Sequence, residues 1–358
     1  MYLNADISYS TQEYLSQKFP SRVLGDNIFI NGSLLPDSEI VKEINRLNFS
    51  ECLCRNGVIL AFRVSKDDAG LFNGAVESIN LNKREYVGDV IKIEYPWDIF
   101  SQNEHEIIAD LTLVTKGKES LPLGSSNKLI GNGIVFIEEG AKVECATLNT
   151  TYGPIYIGKD AEVMEGALIR GPFALCEHSA IKMGAKIYGA TTIGPHSKVG
   201  GEVSNSVIFG YSNKAHDGFL GNSVLGEWCN LGADTNNSNL KNNYALVKVW
   251  NYPKEKFINT GLQFCGLIMG DHSKTGINTM FNTGTVVGVS ANIFGDGFPR
   301  NFIPSFSWGG AQGFSVYAIN KAYEVAEQVM ARRHLVLTEA DKKILQTVFD
   351  STEKYRRF

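Results

Sequence analysis

Apolar residues recur every six positions through the middle of the chain. Steps of six from residue 157 meet a branched aliphatic side chain each time: Ile157, Val163, Ile169, Leu175, Ile181, Ile187, Ile193 and Val199. From the second step onward, the residue two places earlier is nearly always small: Ala161, Ala167, Phe173, Ser179, Ala185, Thr191 and Ser197. Neither a helix nor an alternating strand has this period. It predicts short strands joined by turns, with three strand-and-turn units closing a triangular coil of about 18 residues.

The same phase returns twice farther along the chain, at Phe219, Leu225 and Leu231, and at Met269, Thr275, Phe281, Val287 and Ile293. We expect the aliphatic side chains to point into the prism and the small ones to fit beneath the turns. Glycine after the aliphatic residue, as at Gly158, Gly194 and Gly200, would relieve crowding at the corners. Unrelated strands of a sandwich would not keep a constant step of six, so the pattern indicates a β-helical solenoid.

The six-residue step fails in two places, between Val199 and Phe219 and again from about Ala245 to Phe264, where Pro253 interrupts it. Interruptions of a regular solenoid predict residues extruded from the prism as loops, where function tends to be placed. His216 lies in the first interruption, between a lysine, one residue removed, and an aspartate.

The flanking segments lack the period. Residues 1–120 predict a small α/β unit: a strand at 26–32, a helix at 37–47 capped by Asp37 or Ser38, a hairpin turning at Asn56–Gly57, and helix toward the end of 98–115. Residues 121–310 form the predicted repeat domain. Residues 311–358 predict two helices, the first with an apolar stripe that packs on the prism or on a neighbouring subunit: Val316, Ile319, Tyr323, Ala326 and Met330. The pair Arg332–Arg333 is predicted to be a solvated face.

Composition narrows the function classes. The net charge is −4, with 43% hydrophobic and 20% charged residues, so nothing draws the whole chain to nucleic acid or to an anionic membrane. The start of the chain, residues 1–14, predicts neither a signal peptide nor a membrane anchor. The six cysteines are scattered, and Cys52-x-Cys54 alone is a poor metal signature, so we expect reduced thiols in a cytoplasmic protein.

The repeat resembles the hexapeptide-repeat family, whose fold is a left-handed parallel β-helix; the handedness is implied by the resemblance alone. Residues 213–240 are similar to the acetyltransferase half of the bifunctional N-acetylglucosamine-1-phosphate uridylyltransferase/glucosamine-1-phosphate N-acetyltransferase family. The matching residues are Lys214, Ala215, His216, Phe219, Leu220, Gly221, Asn230, Leu231, Gly232, Ala233 and Asn239. The resemblance covers about residues 125–310.

The resemblance implies acetyl-CoA-dependent N-acetylation of glucosamine-1-phosphate or a related amino-sugar phosphate. It assigns His216 as the general base for the 2-amino group, a role suited to imidazole because it can be neutral near pH 7. Asn239 would hydrogen-bond the amine or the histidine, and Asn230 would hold the histidine or the acetyl group. Substrate-binding candidates are Phe219, Lys214, and, for the sugar phosphate, Lys248 and Arg170.

Two residues depart from the family pattern, which has tyrosine where this chain has Phe219 and Leu240. The missing hydroxyls leave open which amino sugar is accepted and, to a lesser degree, whether acetyl transfer occurs. His178 and His196 stand one full coil apart and should stack at one corner. They lack the close histidine pair and the third histidine of β-helical zinc enzymes, so we interpret them as exposed turn residues and predict no metal site.

The N-terminal unit resembles the trailing part of a sugar nucleotidyltransferase domain, without the glycine-rich, Arg/Lys-bearing loop that cradles nucleotide phosphates in that family. Three explanations stay open: sequence before Met1 is missing, a divergent loop serves, or nucleotidyl transfer is lost. An active domain would use Mg²⁺ and UTP or another NTP. The resemblance further implies homotrimers with sites in grooves between subunits.

Two other functions remain open. The protein could be a sugar-1-phosphate nucleotidyltransferase whose β-helix is only an oligomerisation scaffold, or a non-enzymatic β-helical binding or assembly protein.

Overall fold

The structure, a computed structural model, describes residues 5–72 and 79–358. Residues 1–14 were predicted to be neither a signal peptide nor a membrane anchor, and the first four of them lie outside the described residues. The chain divides into two compact units. One comprises residues up to Tyr95 together with Thr338–Ile344, and the other comprises Pro96–Leu337 and Leu345–Phe358. The helix after Pro96 packs with the β-helix and so belongs to the second unit. Among the described residues, no helix has the length and apolar character to cross a membrane.

The first unit is a small α/β arrangement, as predicted. Its helices are α1 (Glu13–Ser16), α2 (Ser38–Asn45) and α3 (Lys66–Leu71). Its strands are β1 (Asp26–Ile30), β2 (Leu34–Leu35), β3 (Glu51–Arg55), β4 (Val58–Ser65), β5 (Asn82–Glu85) and β6 (Ile91–Lys92). The main sheet has the order β1-β4-β3-β5; β4 is antiparallel to both neighbours and β5 is parallel to β3.

Three local predictions for this unit are confirmed. The strand at 26–32 is β1, and Asn56–Gly57 is the turn between β3 and β4. Helix α2 begins after Asp37, whose carboxylate accepts hydrogen bonds from the backbone N–H groups of Glu39 (2.9 Å) and Ile40 (2.8 Å). Such a cap satisfies backbone donors that the first turn of a helix leaves without partners.

The second unit is a parallel β-helix with three faces. The first face contains β7 (Lys128–Ile130), β10 (Thr147–Asn149), β13 (Leu168–Arg170), β16 (Lys186–Tyr188), β19 (Glu202–Ser204) and β22 (Phe219–Gly221), and continues with β24 (Asn236–Asn237) and β29 (Met280–Phe281). The second face contains β8 (Val135–Ile137), β11 (Ile155–Ile157), β14 (Phe173–Leu175), β17 (Thr191–Ile193), β20 (Val207–Ile208), β23 (Val224–Leu225), β27 (Ile268–Met269), β30 (Val286–Val287) and β32 (Phe302–Ile303).

The third face contains β9 (Lys142–Val143), β12 (Glu162–Val163), β15 (Ala180–Ile181), β18 (Lys198–Val199), β21 (Asn213–Lys214), β28 (Lys274–Thr275), β31 (Asn292–Ile293), β33 (Ser307–Gly310) and β34 (Gly313–Val316). Single bridges from Asn213 to Asn230 and from Asn230 to Lys274 join its two halves. The chain therefore passes from the first face to the second and then to the third in each coil.

The six-residue pattern is confirmed as the interior of the prism. All eight aliphatic residues from Ile157 to Val199 are at most 2% exposed, and they belong to one continuous hydrophobic core. Glycine at the corners permits close stacking of coils. A Cβ on Gly158 would lie 2.9 Å from the backbone N of Glu177, and one on Gly194 would lie 2.7 Å from that of Gly210. Neither gap admits a side chain.

The first interruption is not an extruded loop, so that prediction was wrong. The coils there are shortened at their corners. Equivalent serines Ser197 and Ser212 are 15 residues apart and Ser212 and Cys229 are 17 apart, against 18 between Ser273 and Ala291 in a regular coil. The phase assigned to Phe219 was also wrong. Leu220 pairs with Val203 and points inward at 1% exposure, whereas Phe219 is half-buried on the outer surface.

The second interruption is extruded, as predicted. It carries an antiparallel hairpin of β25 (Lys248–Asn251) and β26 (Lys256–Asn259). Trp250 stacks on Phe302 at 4.3 Å between ring centroids, and the edge of Tyr355 lies against Trp250 at 6.0 Å. The hairpin is thereby packed between the end of the solenoid and the chain terminus.

The predicted stacking of His178 on His196 is confirmed, with ring centroids 4.8 Å apart. The column continues through Tyr211, Trp228 and His272 at the corner between the second and third faces. All five residues have φ between 55° and 61°. His178 is exposed, whereas His196 is half-buried.

Three longer helices complete this unit: α4 (Asp98–Val114), α5 (Ile319–Ala331) and α6 (Glu339–Ser351, whose first residues belong to the first unit). Asn103 of α4 donates to the carbonyl of Ala190 (2.9 Å) and accepts from the hydroxyl of Thr192 (2.7 Å), so α4 lies on the second face. Ala326 and Met330 of the predicted stripe pack with Trp228 and Phe306. Ile319 and Tyr323 of the stripe are partly buried against the same cluster. Two other expectations differ. Val316 is 49% exposed, and Arg333 donates to the carbonyl of His196 (3.1 Å) instead of being only solvated.

Candidate functional site

His216 lies at a corner of the prism, in the four residues 215–218 that connect β21 on the third face to β22 on the first. We call these residues the His216 corner. Its histidine is exposed. Gly201 of the preceding coil supports the corner from below: with φ +69°, a Cβ there would lie 2.8 Å from the carbonyl oxygen of His216. From the following coil, the N–H of Asp234 donates to the carbonyl of Asp217 (3.1 Å).

Lys214 precedes this corner and points into the prism. It pairs with Val199, occupies the interior position of an aliphatic residue, and is only 2% exposed. Its ammonium donates to the carbonyls of His216 (2.6 Å) and Gly200 (3.1 Å). Burial lowers the pKa of Lys214 to about 8, and the carboxylates of Asp217 and Asp234 oppose that change. The structure therefore does not support the predicted direct contact of Lys214 with substrate.

Phe219 and Asn239 come together at the other end of β22. The phenyl Cζ of Phe219 and the Nδ2 of Asn239 lie 2.5 and 2.6 Å from the point where Gly221 would carry a Cβ. Asn239 donates to the Oδ1 of Asn222 (2.8 Å), and Asn222 is 8% exposed. The absence of a side chain at Gly221 thus lets an aromatic ring and two amides meet on the first face.

His216 and Asn239 stand at opposite ends of β22. Three residues of strand span about 10 Å at roughly 3.3 Å per residue. The hydrogen bond predicted between Asn239 and the histidine is therefore not formed within one chain. Asn230 is farther round the prism. It is exposed on the third face, bridged to Asn213 and Lys274, so it does not contact Asn239.

The two candidate phosphate ligands lie elsewhere on the β-helix. Arg170 is exposed at the end of β13, three strands below β22 on the first face, or about 14 Å at roughly 4.8 Å per strand. Its guanidinium covers the ring of Tyr152 at 5.4 Å. Lys248 is exposed at the start of the extruded hairpin, where its carbonyl oxygen lies 2.7 Å from the Cβ position of Gly284. One chain brings neither of them to His216.

Sequence reasoning missed the asparagines that hold β22 against the next coil. The strand ladder of the first face ends at β22, and side chains continue it. Asn236 Oδ1 accepts from the N–H of Phe219 (2.8 Å), and Asn237 Oδ1 accepts from that of Gly221 (3.0 Å). Asn237 is 4% exposed and faces the interior. The run of asparagines after Thr235 was the available signal, since amides can replace backbone donors and acceptors.

A small cleft under α5 is separate from these residues. Its polar lining comes from His272, Lys274, Ser290, Asn292 and Tyr317, and α5 covers it with Ala322, Val325 and Ala326. Burial lowers the pKa of Lys274. In the part of the chain that the structure describes, no three His, Cys, Asp or Glu side chains are grouped to hold a metal ion.

Comparison with known sequences points to sugar-nucleotide enzymes. Residues 1–119 match the sequence model of a family described as sugar nucleotidyl transferase. The bifunctional sugar-1-phosphate nucleotidylyltransferase/acetyltransferase of Sulfurisphaera tokodaii is 28% identical over 212 residues, which are 59% of this chain and 46% of that protein. The bifunctional protein GlmU of Methanocaldococcus jannaschii is 33% identical over 213 residues, 60% of this chain and 44% of its own. The chain thus spans less than half the length of these curated relatives.

Solved structures share less with this chain. A UDP-N-acetylglucosamine acyltransferase from Arabidopsis has 14% identity and a TM-score of 0.26, over 66% of this chain and 99% of its own. The corresponding acyltransferase from Campylobacter jejuni has 14% identity and a TM-score of 0.19, over 61% and 95%. These scores are too low to support an argument, and the β-helical fold rests on the strand pairing described above.

Proposed function

Because this chain is a relative of the bifunctional sugar-1-phosphate nucleotidyltransferase/acetyltransferases, we propose that its β-helix catalyses acetyl-CoA-dependent N-acetylation of glucosamine-1-phosphate or a related amino-sugar phosphate. The observation that carries the proposal is the His216 corner. It presents an exposed imidazole on a short, firmly supported turn between two faces of a rigid prism.

The chemistry needs one base at that corner. The 2-amino nitrogen of the sugar attacks the thioester carbonyl of acetyl-CoA, and His216 takes the proton as the C–N bond forms. Collapse of the tetrahedral intermediate breaks the C–S bond, and the proton is returned to the departing CoA thiolate. Holding two substrates in line supplies much of the remaining acceleration.

The two faces that meet at the His216 corner offer separate places for the two substrates. We place the amino-sugar phosphate on the first face, against Phe219 and Asn239, with its amine toward His216. Acetyl-CoA would lie along the third face, where Asn230 is positioned to hold the acetyl group. Because Asn239 is about one strand length from His216, it would bind a part of the sugar other than the amine. Arg170 and Lys248 remain candidates for the phosphate.

A trimer is supported by three exposed apolar side chains that lie among polar ones at outward positions of the first face. Ile130 is 38% exposed, Leu168 is 52% exposed and Tyr188 is 38% exposed. We propose that copies of the chain associate through this face, which would place each His216 corner beside a neighbouring subunit. Light scattering should give three times the monomer mass, and Leu168→Glu should reduce it. A monomeric wild-type protein would contradict this proposal, as would an unchanged mass in the variant.

The N-terminal unit would use the product in nucleotidyl transfer with UTP or another NTP and Mg²⁺, and the match of residues 1–119 to a sugar nucleotidyl transferase family supports this role. Among the described residues of this unit, no three His, Cys, Asp or Glu side chains lie together. Mg²⁺ that arrives with an NTP needs only one or two carboxylates besides the phosphates. Within the cell, we place the enzyme in the cytoplasm, where acetyl-CoA and nucleotides are available.

A thiol-trapping assay tests acetyl transfer. Purified protein with acetyl-CoA and glucosamine-1-phosphate should release CoA, and His216→Ala should lower the rate by about 10²- to 10⁴-fold, as loss of a general base does. Equal rates of CoA release above background in wild type and His216→Ala would rule out this role of His216. If both rates are at background, the scaffold alternative gains support. A thermal shift with sugar phosphates or nucleotides would then distinguish it from a protein that binds none of them.

A further inference from the structure

Lys214 places a charged side chain inside the prism, at a position where an aliphatic residue could serve equally well for packing. On the preceding coils of the third face, the positions equivalent to Lys214 are occupied by Val143, Val163, Ile181 and Val199, all 8% exposed or less. Burying an ammonium is costly unless hydrogen bonds and opposite charges compensate it. A valine or isoleucine would avoid that cost, so the presence of lysine calls for an explanation beyond core filling.

The contacts of its ammonium supply one. Lys214 Nζ is 2.6 Å from the carbonyl oxygen of His216 and 3.1 Å from that of Gly200, so it joins two successive corners from within. Asp217 and Asp234, both exposed near the same corners, provide the opposing charge. Gly201 contacts the corner from below and Asp234 from above, and Lys214 is the contact from inside.

We infer that Lys214 is a positioning residue: its ammonium holds the main chain of the His216 corner and so sets the place of the imidazole at the surface. The inference rests on the proposed function only for its effect on catalysis. Its structural part, the restraint of residues 215–218, stands without any activity. Lys214 takes no part in proton transfer and does not touch substrate.

The test replaces the ammonium and keeps the shape of the side chain. In the full-length Lys214→Met protein, hydrogen exchange of the amides at 215–218 should accelerate, and the His216 ring proton signal in NMR should move. That signal is identified by its loss in His216→Ala. The kcat of acetyl transfer should fall about 10- to 100-fold, as expected for a base displaced by about 1 Å, with little change in KM. Lys142→Met is the matched control, since Lys142 is exposed on the third face four strands away.

The possible results distinguish the positioning role of Lys214 from the proposed acetyltransferase activity. Unchanged exchange, ring signal and kcat in Lys214→Met would overturn the inference and leave Lys214 as core filling. If the wild type transfers no acetyl group, the proposed function fails, and exchange together with the ring signal still decides the role of Lys214. If Lys214→Met does not fold, Lys214→Ile, which also removes the donor and has the residue type of Ile181 at the equivalent position, is measured in the same way. Wild-type exchange in that variant also counts against the inference.

Discussion

The buried ammonium of Lys214 should make the stability of this protein depend on pH in an unusual direction. Its pKa is about 8 in the folded protein, against an ordinary value of 10.5, because burial disfavours the charged form. Between these values the unfolded chain holds a proton that the folded protein has released. Stability therefore rises with pH across this window, and below about pH 8 the folded state bears the full cost of the buried charge.

The size of the effect follows from the shift. Each pKa unit corresponds to about 1.4 kcal/mol, so the shift of roughly 2.5 units predicts a gain of about 2.5 kcal/mol between pH 7 and pH 10, where the unfolded lysine is still mostly charged. Other groups work in the opposite direction over the same range. Burial raises the pKa of Cys229 and of Cys265 to about 12 in the folded protein. In the unfolded chain these thiols lose their protons at lower pH, so their contribution to stability falls as the pH rises.

Comparison with Lys214→Met removes these other contributions. The free energy of unfolding of both proteins is measured in guanidinium at pH 7, 8, 9 and 10, and the difference between them is plotted. The wild type should gain about 2.5 kcal/mol on the variant across the series, and Lys142→Met should show no such gain. A difference that stays flat with pH would refute the buried, charged state of Lys214. A difference that falls as the pH rises would mean that folding raises its pKa.

Three further substitutions test neighbouring parts of the structure. Gly201→Ala should destabilise the protein by about 1–3 kcal/mol, because a Cβ at φ +69° would meet the carbonyl oxygen of His216; guanidinium unfolding measures it. Phe219→Tyr should change the KM for the amino sugar without lowering the melting temperature, since the ring lies at the outer surface; equal KM values would separate Phe219 from substrate. Trp228→Ala should cost about 3–5 kcal/mol and speed proteolysis of the C-terminal helices, because the indole is 7% exposed and packs with Phe306.

Where the coils are regular, sequence alone predicted the fold to single residues. The eight aliphatic positions from Ile157 to Val199 face the interior because a constant coil length keeps every sixth residue on the same side. The stacking of His178 on His196 followed from the same constancy. Local chemistry was also sufficient for the cap of α2, since an aspartate before a helix satisfies its first N–H groups whatever the surrounding fold.

The site was harder to predict because the coils around it are shortened. Losing residues at corners changes which side chain points inward, and no periodic rule gives the new phase. Phe219 was therefore placed inside, and Leu220 takes that position. The same shortening puts Lys214 at an interior position, where sequence similarity alone suggested a substrate contact. Contacts between coils that involve side chains, such as Asn236 with the backbone of Phe219, have no periodic signature at all.

The distance between the two ends of β22 limits how the residues there can act together. The main chain of the His216 corner is contacted from three sides, by Gly201, by the N–H of Asp234 and by the ammonium of Lys214. Phe219 and Asn239 meet above a glycine about one strand length away. A base that takes a proton from an amine must be within hydrogen-bond reach of that nitrogen, so Asn239 cannot share the same atom in this arrangement. The sugar would have to bridge the strand, with its amine at the corner and its remaining groups over Gly221. Substitutions at Phe219 should then alter which sugar is accepted, and substitutions at the corner should alter the rate for every sugar.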